Sequence, residues 1–171
     1  MTNRADIEAD IAAIRLQQEK LQFPHFNEDD AWELGLDIHG RAKRAEQSIV
    51  IDIRLWDRRL FWYAMPGATF DNEEWVRRKI NLVRRFHMPS YLFGRLCLTG
   101  EKTIDDDAGI TLLEHAAHGG SFPICIRKTG AIGAVTVSGL PQRDDHNLVV
   151  AAIADHLDID EASVALGEES G

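Results

Sequence analysis

The hydrophobic positions change period along the chain, and each change marks an element. Ile7, Ile11, Ile14 and Leu21 recur at helical spacing with charges between them, which predicts an amphipathic helix over 6–21. Pro24 ends it. Asn27 is placed to cap a second helix, with Glu28, Asp29 and Asp30 favourable in its first turn. That helix gathers Ala31, Leu34, Gly35, Ile38, Ala42 and Ala45 on one face. Such small residues predict close packing on a sheet or a partner.

From Ser48 to Trp56 the period falls to two: Ile49, Ile51, Ile53 and Leu55 alternate with Val50, Asp52, Arg54 and Trp56. Arg59 to Met65 reads as the returning strand after a turn at Asp57-Arg58. A third helix, capped by Asp71, reaches about His87 and sets Trp75, Lys79, Leu82 and Phe86 on one side. A shorter one covers Ser90 to Leu98. The segment from Gly109 to Gly120 reads as including a short helix. Two further strands, Phe122–Arg127 and Ala131–Ser138, turn at Lys128-Thr129-Gly130, and a last helix begins near Pro141. The acidic tail beyond about 158 reads as flexible. The pattern is that of one domain over 1–171, an α+β sandwich of helices on a mostly antiparallel sheet.

Composition narrows the function classes. The 171 residues carry 19 Lys and Arg against 28 Asp and Glu, a formal net charge of −9. That balance argues against nucleic acid, whose phosphates require a positive field, and against anionic membranes. No apolar run approaches the ~20 residues of a membrane span. The N-terminal residues show no secretory h-region, so a cytoplasmic location is expected. Cys97 and Cys125 form no C-x-x-C pair and read as free buried thiols.

The candidate chemistry concentrates between Gly119 and His146. Gly119-Gly120 precedes a strand, either as a tight turn or as a bare backbone wall for a ligand. Ser138-Gly139 closes a strand before a helix, a corner able to offer backbone N–H groups to an anion. Asp144 and Asp145 in the next turn would repel a phosphate, and their simplest role is to complement the helix dipole. Lys79 shares a face with apolar residues. Its stem either packs while its head reaches solvent, or the amine lines a pocket and pairs with a carboxylate such as Asp52. Arg54 competes for Asp52.

Of the seven histidines, His115 and His118 have i, i+3 spacing. They form either a surface pair or half of a metal site. His118 precedes the double glycine, and His146 lies one turn into the last helix. If the two corners meet, both imidazoles face one cavity. No nucleophile elbow, Walker A loop or dinucleotide fingerprint is present.

Three segments together carry a resemblance. Gly119-Gly120-Ser121-Phe122-Pro123-Ile124 reads GG-x-x-P-I, Ile132 to Leu140 contains IG-x-x-x-VSG, and Asp144-Asp145-His146 opens the last helix. Upstream, Trp75-x-x-Arg78-Lys79 fits a branch of small members. From about Asp30 to Leu157 the chain resembles the haem-degrading-domain (HbpS/GlcG-like) family. The resemblance implies a profilin-like fold with a five-stranded antiparallel sheet flanked by helices, and self-association into dimers or larger rings. It also implies a small-molecule ligand of haem, iron or cobalamin type, since some relatives bind haem or iron. The expected ligand-binding set is His118, Gly119, Gly120, Ser138, Gly139, His146 and Lys79. Two other readings stand beside it: an oligomeric scaffold without a catalytic site, and an enzyme acting on a small organic acid with Lys79 and His146 in polar roles.

Overall fold

The computed structural model describes residues 3–167. Its elements in chain order are α1 (Arg4–Lys20), α2 (Glu28–Arg44), β1 (Val50–Leu55), β2 (Arg58–Ala64), α3 (Phe70–Phe86), α4 (Ser90–Thr99), β3 (Ser121–Ile126), β4 (Gly130–Ser138) and α5 (Gln142–His156). Asn27 caps α2 as its side-chain chemistry predicts. Its Oδ1 accepts from the Asp30 N–H at 3.1 Å, and Asp30 accepts the Asn27 N–H at 2.7 Å. The third helix starts earlier than expected. Asp71 lies within its first turn, and the capping residue is Thr69, whose N–H donates to the Asn72 side chain.

The described residues form a four-stranded antiparallel sheet in the order β2-β1-β4-β3. The expected fifth strand is absent among the described residues. At the outer edge of β3, Phe23 makes one parallel bridge to Ile126 and exchanges hydrogen bonds with Cys125 and Arg127. Both polar groups of Phe23 face β3, so the missing N–H of Pro24 lies on the outward side, where it removes a donor from the open edge.

The two-residue period of β1 sorts the layers. Ile49, Ile51 and Ile53 join α2 and α5 in the main core. Val50 points to the other face and meets Val76 and Ile80 of α3. Both faces of β1 are therefore covered, and Asp52 on the α3 side is fully buried. It finds its partners locally, accepting from Arg54 Nε at 2.7 Å and pairing with Arg59 Nε at 2.9 Å. The small-residue face of α2 packs as the sequence implied: a Cβ on Gly35 would sit 2.5 Å from the Phe61 ring of β2.

Two local expectations change. Residues 111–118 form turns rather than a helix. The tail is not loose through 167: Val164 joins the main core and Leu166 packs with Ile7, Ile11 and Ile14 of α1. Apolar side chains spaced for burial outweigh the acidic composition there. The part of the expected flexible tail at 168–171 lies outside the described residues. No helix is long and apolar enough to cross a membrane among the described residues.

Because the tail contributes two buried aliphatic side chains, truncation after Asp160 is expected to lower the unfolding free energy by about 3 kcal/mol or more. Urea denaturation of the full and shortened chains checks this.

Candidate functional site

The ends of β4 and α3 and the start of α5 enclose a cleft of about 220 Å³. Asn72, Trp75 and Lys79 come from α3, Ser138, Gly139 and Leu140 from the β4–α5 corner, Gln142 and Asp145 from α5, and His118 from the preceding loop. Four of the sequence-predicted site residues therefore line one cleft: Lys79, His118, Ser138 and Gly139.

Lys79 does not reach solvent. It is 2 % exposed, and its Nζ donates to Asp145 Oδ2 at 2.9 Å and to the Val137 carbonyl at 3.1 Å. The partner is Asp145, not Asp52, whose charge is taken up by Arg54 and Arg59. Asp145 is also 2 % exposed, and its Oδ1 accepts the Leu140 N–H at 3.1 Å. Burial pushes the Lys79 ammonium down and the Asp145 carboxyl up from their ordinary ranges, and their mutual attraction opposes both shifts. The sequence offered one signal for this pair. A lysine on an apolar helix face requires a buried acceptor. The pairing with Asp145 is not legible in the sequence, because an acid in a first helical turn already has an explanation in the helix dipole.

Gly119 and Gly120 stand behind the cleft rather than on its wall. A Cβ on Gly119 would overlap the Gln142 carbonyl at 1.9 Å, and one on Gly120 would lie 2.6 Å from Lys79 Nζ. Gly120 also holds φ at +125°, a conformation open to glycine. The double glycine thus makes room for the start of α5 and for the lysine head.

The histidines divide. His118 sits at the rim, its ring edge-on to the Trp75 indole at 4.8 Å between centroids. Partial burial, then the Lys79 and Arg78 charges, hold its imidazole below the usual range, so it is neutral at neutral pH. His146 does not share the cleft. It is 1 % exposed and lies against Tyr91 and Phe122. Gln17 Nε2 donates to the Val164 carbonyl at 2.7 Å, so Gln17 Oε1 is the acceptor facing His146 Nε2 at 2.8 Å. That nitrogen carries the proton. Burial, reinforced by Arg143 and Arg95, pushes its pKa down to about 3. α5 directs position 146 into the core because it follows Asp145 by one residue and turns about 100° away from the cleft.

His115 places its Nδ1 3.2 Å from the Thr111 carbonyl. With no helix at 111–118, a helical turn does not bring His115 and His118 together. No group of three or more His, Cys, Asp or Glu is placed to hold a metal among the described residues.

Comparison with known proteins gives a consistent picture. The family described as haem degrading protein HbpS-like matches residues 26–154. A UPF0303 protein of Sinorhizobium medicae is 49% identical over 152 residues, 89% of this chain and 93% of that one. Among solved structures, the Ybr137w protein superposes with a TM-score of 0.78 at 28% identity, covering 86% of this chain and 87% of its own. The PduOC:Heme complex shares the fold at a TM-score of 0.64 and 16% identity, covering 85% of this chain and 99% of its own.

Two measurements follow from this geometry. Lys79→Met strands a buried carboxylate and is expected to cost about 3 kcal/mol or more, whereas Lys79→Met/Asp145→Leu recovers most of that loss. A double-mutant cycle in urea tests the coupling. His146 has a folded pKa below its unfolded value near 6.5. Its contribution to stability is therefore complete above that pH and lost as pH falls. Between pH 6.5 and 5 the native chain is expected to lose about 1 kcal/mol more per pH unit than His146→Asn does. Denaturation midpoints measured across that window decide it.

Proposed function

The chain belongs to the HbpS-like haem-degrading protein family, and from that membership we propose that it is a small-ligand-binding protein that works as a homo-oligomer. Its ligand occupies the Lys79 cleft. The observation that carries this reading is convergence. Segments far apart in sequence, at Trp75–Lys79, His118–Gly120 and Ser138–Asp145, meet around one cleft and place a buried charged pair in its wall.

The assembly reading is supported by the free edge of the sheet. Along β2 and the neighbouring face of α2, Trp32 is 59 % exposed and Trp62 41 %, with Leu36 and Tyr63 also in solvent. These residues line an apolar hollow of about 420 Å³ with His39, Leu60 and Phe61. Edge strands in monomers are usually blunted by charge or proline, yet from Leu60 to Ala64 β2 carries neither. A second copy of the chain pairing there would cover both the edge and the apolar side chains.

Haem is the second reading, favoured by neutral His118 at the rim and by the haem named in the PduOC complex. The cleft of one chain does not fit a sheathed haem. Its volume falls below the ~300–1,000 Å³ typical of ligand pockets, and its apolar side chains are only Trp75 and Leu140. Haem would instead meet His118 at the mouth, between copies.

Native mass spectrometry of the gently purified full chain is expected to show multiples of the chain mass, each chain carrying a small non-covalent adduct. Gln142→Trp, which places an indole across the mouth, should lose the adduct. Trp62→Glu should reduce the assembly. A bare monomer unaffected by either change would refute the proposal. Haemin titration separates the second reading: a stoichiometric Soret shift that survives His118→Ala, or no shift, removes it.

A further inference from the structure

The donors and acceptors left unused around the cleft point to a class of ligand. An ammonium has three N–H groups. Lys79 spends one on Asp145 and one on the Val137 carbonyl, which leaves the third without a protein partner among the described residues, on a residue that lines the cleft. Ser138 is buried, also lines the cleft, and its hydroxyl makes no hydrogen bond among the described residues. The Asn72 side chain uses its oxygen on the Thr69 N–H, which leaves its NH₂ as the free end. Lys79 and Asn72 thus offer N–H groups, and the Ser138 hydroxyl can donate beside them.

The one carboxylate in the cleft is engaged at both oxygens. Asp145 gives one oxygen to Lys79 and the other to the Leu140 N–H. A cationic ligand would therefore find its one buried carboxylate engaged. A phosphate dianion is also disfavoured, since Asp145 offsets the single lysine charge in the wall. Arg78 lies over the Trp75 ring at 4.2 Å and adds a modest positive field beside the cleft without lining it. What remains is a singly charged acceptor on a small body, flanked by an indole and a leucine.

We infer that the cleft takes a small organic acid, with the ligand carboxylate received by Lys79 Nζ and the Ser138 hydroxyl and its carbon frame lying between Trp75 and Leu140. Asp145 is then a positioning residue: it fixes the lysine head and keeps it charged without touching the ligand. His118, neutral at the rim, stands where a 2-hydroxy or 2-oxo substituent would emerge. The inference rests on the ligand-binding reading above and names the chemistry of the same cleft.

Calorimetry on the full chain with lactate, pyruvate and benzoate tests it, with lactamide, benzamide and inorganic phosphate as counterparts. At least one acid is expected to bind about tenfold more tightly than its amide and than phosphate, since a charge-assisted hydrogen bond is lost in the amide. Ser138→Ala should weaken that acid about fivefold. Lys79→Met/Asp145→Leu, which removes the pair without stranding a charge, should abolish its preference over the amide. Circular dichroism establishes that both variants are folded. Equal binding of acid and amide, tighter binding of phosphate, binding unchanged in both variants, or no binding of any acid would overturn the inference. An adduct that is lost in Gln142→Trp while no acid binds overturns the organic-acid assignment alone. Absence of both removes the ligand-binding reading as well.

Discussion

The ion pair between Lys79 and Asp145 is the constraint around which the rest is arranged. α3 covers one face of the sheet and α5 the other, and the pair joins them around the end of β4, with the Val137 carbonyl as a third member. Each neighbour accommodates it. Gly120 leaves room for the ammonium, Gly119 lets the first turn of α5 approach, and the Leu140 N–H closes the second carboxylate oxygen. A bulkier residue at either glycine would separate the helices that the pair connects.

Such a pair is a poor source of stability. Removing two charges from water costs several kcal/mol per ion, and well-packed aliphatic side chains of similar size often do as well or better. What the pair does in the cleft wall is local: Asp145 and the Val137 carbonyl hold the Lys79 head in one place. The core elsewhere is built differently. Ile49, Ile51 and Ile53 pack against α2 and α5 without a polar group, and the polar cluster of Gln17, His146 and the Val164 carbonyl is closed on itself.

Much of the fold could be read from period and caps. The alternation at 48–56, the Asn27 cap and the small-residue face of α2 all led to the structure found, because each is a local cause with a local effect. The strand count was less accessible. The described strands are the four that periodicity marks, and the fifth came from family likeness; in its place beside β3 stands one bridge at Phe23. The cleft was half legible. Lys79 declared itself by being charged on an apolar face, and the Ser138-Gly139 corner by its position. Asp145 and His146 were misassigned because their roles depend on which way α5 is rotated. A one-residue step on a helix moves a side chain from cleft to core, and that rotation is set by packing against β3 and β4 rather than by the turn itself.

The single bridge at Phe23 has a consequence for how the protein can grow. A sheet with two open edges can add strands at both and run on as a fibre. Here the Phe23-Pro24 segment covers the Ile126 end of one edge, and the edge at β2 is left open among the described residues. Two such sheets joined at β2 about a two-fold axis would form a closed pair at that edge. Pro24 therefore leaves a further strand without one donor at the β3 end of the sheet.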